Sequence, residues 1–222
     1  MDRRLFYWAQ PAGAAIGFFL FPSLPYCLAH IMDAHLKETQ KDSRQVYDGH
    51  FLKVQKDTIV LPDGKESTRE YIKHPGAVAV LPLFDDGSVL MERQFRYPLD
   101  RVFIEFPAGK IDPGEDTLDC AKRELKEETG YTATEWQYVC TIHNAIAYSD
   151  EHLVLYLARG LKEGERELDE GEFLDIYKAP LSELLEQVRN GQITDVKTVI
   201  GMFWLEKIVN GSWTPPQRPA GI

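Results

Sequence analysis

The sequence is poor in cysteine, in positive charge and in long apolar runs. Its 222 residues hold three cysteines, Cys27, Cys120 and Cys140, widely spaced and without a CxxC pair. An odd, scattered set of this kind argues against a disulfide framework or a zinc site and fits a reducing cytoplasm. Lys and Arg number 25 against 35 Asp and Glu, a formal charge of -10. A surface with that balance repels polyanions unless its basic groups are gathered in one place, so nucleic acid is not expected as a partner. An acidic excess can instead mark oxygen ligands around hard cations. Repeats and low-complexity segments are also missing.

What is present is the balance of a globular chain, 44% hydrophobic and 27% charged, long enough for one good core. The first 31 residues differ from the rest: almost uncharged after Arg4 and rich in aromatics. Arg3 and Arg4 followed by the apolar run 12–21 have the shape of a secretory leader or interfacial anchor, yet the run is too short to span a bilayer. A packed arm is a second reading. A true start at Met32 is the third, favoured by the abrupt change in composition there. No membrane association is expected unless residues 1–31 are retained.

From Arg44 to Tyr71 the pattern predicts strands joined by turns, with Pro62-Asp63-Gly64 as the strongest turn. This meander, within residues 32–74, is too small to bury a core alone and should pack on the rest of the chain or on a second subunit. Residues 75–210 read as the main domain. The apolar run 77–83 predicts a strand buried on both faces, Asp85-Asp86-Gly87 a hairpin turn, and 89–96 the returning strand. Further strands are expected at 137–142, 153–158 and 174–177. A helix over 181–189 has Ser182 as its capping candidate and stops at Asn190-Gly191. Asp195 can cap a last helix with Val196, Val199, Ile200, Phe203 and Ile208 as its core stripe. The Pro-rich tail, 211–222, is expected to be mobile. Strands and helices mix without βαβ alternation, which gives an α+β, mixed-sheet sandwich.

The chemistry lies in residues 105–131, EFPAGKIDPGEDTLDCAKRELKEETGY. Pro107-Ala108-Gly109 reads as a tight loop, and Asp116 or Thr117 caps a helix over 117–129 whose buried side is Leu118, Ala121 and Leu125. Gly130 ends it in the left-handed conformation. Glu124 and Glu128, one turn apart, share a face with Glu127 beside them. Stacked like charges cost a few tenths of a kcal/mol per pair, and a hard cation reverses that sign. Mg²⁺ binds through a few carboxylates, waters and substrate phosphates. Arg-Glu-Leu-Lys-Glu-Glu alone most often marks a solvated helix face; the longer spacing changes that balance.

Gly109, five residues, Glu115, seven residues, then Arg123-Glu124-Leu125-Lys126-Glu127-Glu128-Thr129-Gly130 resembles the signature box of the Nudix hydrolase family. Eight fixed identities would arise by chance with a frequency on the order of 10⁻⁷ over such a chain. Tyr131 stands where that box is usually aliphatic. The resemblance implies a three-layer α/β/α sandwich, with the small N-terminal antiparallel meander beside it. It also implies divalent-metal dependence and hydrolysis of a nucleoside diphosphate linked to another group. The meander, Arg69-Glu70-Tyr71, Arg93-Gln94-Phe95-Arg96, the Pro-Ala-Gly segment and Tyr148-Ser149-Asp150-Glu151 resemble the ADP-ribose pyrophosphatase branch. That branch exchanges its N-terminal strands in a homodimer. One departure is the absence of a proline around His143-Asn144-Ala145-Ile146-Ala147, close to the substrate in the family, which leaves the leaving group open.

By this resemblance Glu124 and Glu128 are the principal metal ligands, Glu127 supports them, the Ala108 carbonyl completes the shell, and Glu115 lies near the metals. Gly109, Arg123 and Gly130 support the site. Magnesium acidifies water weakly, so a general base is needed. The acidic stretch 163–175 reads on its own as a solvated loop, but Glu170-Gly171-Glu172 matches the branch's Glu-x-Glu pair. Glu172 is then metal ligand or base, with Glu170 the alternate base. Arg96 is the candidate phosphate contact, Arg69 a contact across the dimer and Tyr71 an adenine-side residue. The expected reaction is Mg²⁺-dependent hydrolysis of ADP-ribose to AMP and ribose 5-phosphate, with Mn²⁺ as a substitute metal. The alternatives are another nucleotide sugar such as GDP-mannose and a non-catalytic ligand sensor. A sensor would be expected to lack box glutamates that this chain keeps.

Overall fold

The computed structural model describes residues 33–168 and 170–220, so the readings of the segment before Met32 fall outside the described residues. The chain begins with an antiparallel meander of β1 (Thr39–Asp48), β2 (Lys53–Val60) and β3 (Glu66–Lys73), in that spatial order. The Pro62-Asp63-Gly64 turn joins β2 to β3, and Gly64 takes a φ of 83° there, which a side chain would strain. β1 starts earlier than the apolar pattern suggests. Its sequence TQKDSRQVYD is polar because β1 pairs only with β2, and every one of its residues is exposed.

The main domain is organised around β4 (Ala77–Pro82), buried along its whole length. It sits inside a four-stranded sheet of order β7-β4-β9-β8, parallel to β9 (Leu153–Arg159) and antiparallel to β7 (Ala108–Lys110). β8 (Glu135–Ile142) closes the far side. Successive strand residues point to opposite faces. Ala77, Ala79 and Leu81 therefore join one core, and Val78 and Val80 join another. The second core is covered by α1 (Thr117–Thr129), which contributes Cys120, Ala121 and Leu125, all fully buried. Burying a leucine such as Leu125 contributes about 1.5–3 kcal/mol.

The first core is covered by α2 (Leu181–Arg189), α3 (Val196–Val209) and a three-stranded sheet of order β10-β5-β6. Its strands are β5 (Ser88–Arg96), β6 (Arg101–Glu105) and β10 (Leu174–Pro180). Helix, sheet, and sheet with helices form the three layers expected. Among the described residues no helix is long and apolar enough to cross a membrane.

Several local readings are corrected. Ala108 and Gly109 lie in strand β7, paired with Ala79 and Val78, rather than in a tight loop. Strand β6 had no periodic signal, because it is short and carries charge at both ends. Ser182 does not cap α2; Pro180 occupies that position and Ser182 sits exposed in the first turn. Asp195 does cap α3, accepting from the Thr198 N–H at 3.0 Å. The core face of α3 is Thr198, Gly201, Met202 and Leu205, whereas Val196 and Phe203 are 46% and 48% exposed. The helix is apolar nearly all round, so spacing alone could not choose its buried face. In the tail, Arg218 Nη2 pairs with Asp116 at 2.7 Å.

Candidate active site

The β4–β7 pairing lays Ala108 and Gly109 alongside α1, and this juxtaposition builds one wall of a cleft of about 640 Å³. The Ala108 N–H donates to Glu128 Oε2 at 2.9 Å. A Cβ on Gly109 would stand 1.8 Å from the Glu124 carboxyl carbon, so only glycine leaves room for that carboxylate. Glu124, Glu127 and Glu128 all line the cleft. The opposite wall is the loop between β9 and β10, which brings in Glu170 and Glu172. Arg96 at the end of β5 and Lys197 on α3 complete the floor, and Phe51, from the β1–β2 turn, stands at the rim.

Arg123 organises the helix face. Its Nη1 donates to Glu124 Oε1 at 2.7 Å and to Glu127 Oε2 at 3.0 Å. Its Nε and Nη2 each donate to Glu115 at 2.9 Å. This fork holds the Glu115 carboxyl down at about pKa 2. Both Glu115 oxygens are thus engaged away from the cleft, and the structure does not bring Glu115 to the other glutamates.

The remaining acids are shifted the other way. Burial pushes Glu124 up to about 7 and Glu92 up to about 8, and it raises Glu128 well above the usual carboxylate range. Glu92, Glu124 and Glu172 add repulsion at Glu128, which is 3% exposed. Oxygen donors that are buried, mutually repelling and partly without hydrogen-bond partners fit a hard divalent cation. Among the described residues, no three such side chains are yet gathered at coordinating distance. Glu124, Glu127 and Glu128 line the cleft, and Arg123 holds one oxygen each of Glu124 and Glu127.

Arg96 lines the cleft, and its Nε and Nη2 both donate to Glu105 at 2.7 Å. Lys197, 6% exposed, pairs with that same Glu105 and with Asp195, the latter at 3.1 Å. Arg69 and Tyr71 lie on β3 outside the cleft. Arg69 pairs with Glu38, and the Tyr71 hydroxyl donates to Asp57 Oδ2 at 3.2 Å. Gly130 has a φ of 77° and ends α1, with its N–H on the Lys126 carbonyl. Sequence reasoning missed Glu92, Glu105 and Lys197. A glutamate inside the apolar run Val89-Leu90-Met91-Glu92 was the one available signal.

A metal-fitting acidic helix across a cleft from a loop with two further glutamates defines the class. Residues 73–197 match the NUDIX domain, and residues 38–72 match the nucleoside diphosphate sugar hydrolase N-terminal domain. The chain belongs to the Nudix hydrolase family, whose members generally use divalent metal ions. It is 39% identical over 173 residues to an ADP-ribose pyrophosphatase of Bacillus subtilis, spanning 77% of this chain and 94% of that protein. It is also 39% identical over 166 residues to a methanol dehydrogenase activator of Bacillus methanolicus, spanning 74% and 90%. A crystal structure of an ADP compounds hydrolase superposes with a TM-score of 0.72 at 23% identity, covering 79% of this chain and 95% of the other, and shows the shared fold.

Proposed function

We propose that this chain hydrolyses the pyrophosphate bond of ADP-ribose, giving AMP and ribose 5-phosphate, with Mg²⁺ as the metal and Mn²⁺ as a substitute. The observation that carries this reading is the sharing of one cleft by Glu124, Glu127 and Glu128 with Glu170 and Glu172 of the β9–β10 loop. The similarity to the Bacillus subtilis enzyme supports the substrate. When bound, divalent cations neutralise the pyrophosphate and make an attacking water more acidic. Glu124 and Glu128 would hold them, with the Ala108 carbonyl completing the donors, joined by Glu172 where Glu170 is the base. Glu115, tied to Arg123, would join only by leaving its fork.

Glu172 or Glu170 takes the proton from the attacking water, because a loop carboxylate is freer to do so than one committed to the helix cluster. Glu127 supports the cluster from its bond to Arg123. Arg96, fixed by two bonds to Glu105, presents its guanidinium edge to a phosphate oxygen. The exposed β1 and the position of Arg69 and Tyr71 off the cleft favour a homodimer, in which the meander of a second copy supplies those residues to the site. A reducing, cytoplasmic setting suits the free Cys120 and Cys140.

Substituting Glu128→Gln tests this reading. Loss of AMP release with an unchanged circular dichroism spectrum is expected, and retained turnover would overturn the metal-site assignment. Another nucleotide sugar is the second reading, favoured by Asn144 lining the cleft within the segment that lacks a proline.

A further inference from the structure

Glu92 is a buried acid beside the cleft that neither the box nor the loop motif accounts for. It lies inside β5, directly opposite Glu105 of β6, and is 0% exposed. Neither of its carboxylate oxygens has a hydrogen-bond partner. Like charges facing each other across strands destabilise a sheet, and a buried polar group without a partner costs more than a bond made is worth. Two cations are close, but both are already engaged. Arg96 spends Nε and Nη2 on Glu105, and Lys197 bonds to Glu105 and Asp195. Glu92, Glu105 and Asp195 against Arg96 and Lys197 leave one carboxyl without a cationic partner. Gln94 and Arg96, two and four residues further along β5 and so on the same face of the strand as Glu92, line the cleft, and Glu92 adds to the repulsion at Glu128 and is itself repelled by Glu172.

We propose that Glu92 is a member of the carboxylate set that holds the divalent cation, reaching it from the sheet while Glu124 and Glu128 reach it from α1. This inference rests on the metal-site reading above. It gives the orphaned oxygens a partner and a reason for a glutamate at a buried position that packing alone would fill with an aliphatic residue.

The test is Mn²⁺ binding to the full chain by titration calorimetry, without substrate, for the unsubstituted protein, Glu92→Gln and Glu92→Asp. Glu92→Gln should weaken Mn²⁺ binding by about tenfold or more, while the metal-free variant melts no lower than the parent, because Gln keeps the shape of a side chain that makes no hydrogen bond there. Glu92→Asp, which keeps the charge one methylene shorter, should fall between the two. Equal Mn²⁺ affinity in parent and Glu92→Gln would overturn the proposal while leaving the metal site intact. Absence of Mn²⁺ binding by the parent would instead overturn the metal site itself. Should Glu92→Gln fail to fold, Glu92→Asp decides: affinity equal to the parent's overturns the proposal.

Discussion

Replacing Gly109 by alanine is the sharpest probe of the cleft. The added methyl would lie 1.8 Å from the Glu124 carboxyl carbon and 2.0 and 2.2 Å from its oxygens. Real Cβ atoms do not approach heavy atoms closer than 3.0 Å, so that carboxylate must retreat by about 1 Å. Gly109 is in strand β7 with no positive φ, so alanine suits its backbone and the perturbation falls on Glu124 alone. A misplacement of about 1 Å at a catalytic constellation can cost about a hundredfold in rate, which is about 2.7 kcal/mol of transition-state stabilisation. Because the clash is with the end of a flexible side chain, the melting temperature should change little. The assay is AMP release from ADP-ribose at saturating Mg²⁺, with differential scanning fluorimetry beside it. A Gly109→Ala protein with unchanged kcat/KM would refute the placement of Glu124 against β7.

Three further expectations follow from the ion pairs and buried acids. In EDTA, the folded chain binds protons at Glu124 and Glu92 more tightly than the unfolded chain, whose glutamates titrate near 4.5. Stability should therefore fall as pH rises between about 5 and 8, with a smaller fall in Glu124→Gln; a flat melting curve across that window would contradict the shifts. Arg123→Lys puts a single ammonium where one guanidinium holds Glu115, Glu124 and Glu127. It should lower kcat by about 10–100-fold without changing the circular dichroism spectrum, and full activity would show that the fork does not orient the site. Lys197→Met leaves buried Glu105 with Arg96 as its one remaining cation and should destabilise by about 3–5 kcal/mol in urea unfolding. A change below about 1 kcal/mol would mean that Glu105 takes up a proton instead.

Local chemistry made much of the fold legible before any coordinates. The helix α1 was readable because Asp116, the Leu118-Ala121-Leu125 stripe and Gly130 all carry their signals within one short segment. Strand β4 was readable because burial on both faces leaves an unbroken apolar run. The face of α3 was not, since apolar residues surround it and its packing against Phe106, Leu81 and α2 decides which side turns inward. The start of β1 was invisible for the opposite reason: a wholly exposed strand has no reason to alternate.

The site divides in the same way. Glu124, Glu127 and Glu128 are neighbours in sequence and could be grouped by helical spacing. The Glu105–Lys197 pair spans 92 residues, and neither partner looks unusual where it stands. Glu115 shows the converse, since a place in the box did not carry it to the cleft once Arg123 offered two better bonds. Arg69 and Tyr71 lie off the cleft, and nothing in the local sequence around them marks that placement.

The most direct test of the central claim is hydrolysis by the full chain of ADP-ribose beside GDP-mannose, ADP-glucose and NADH, each with Mg²⁺ and with EDTA, following nucleotide release. Metal-dependent release of AMP, fastest from ADP-ribose, is the expected result. Turnover of ADP-ribose that survives EDTA, or faster turnover of GDP-mannose, would contradict the account.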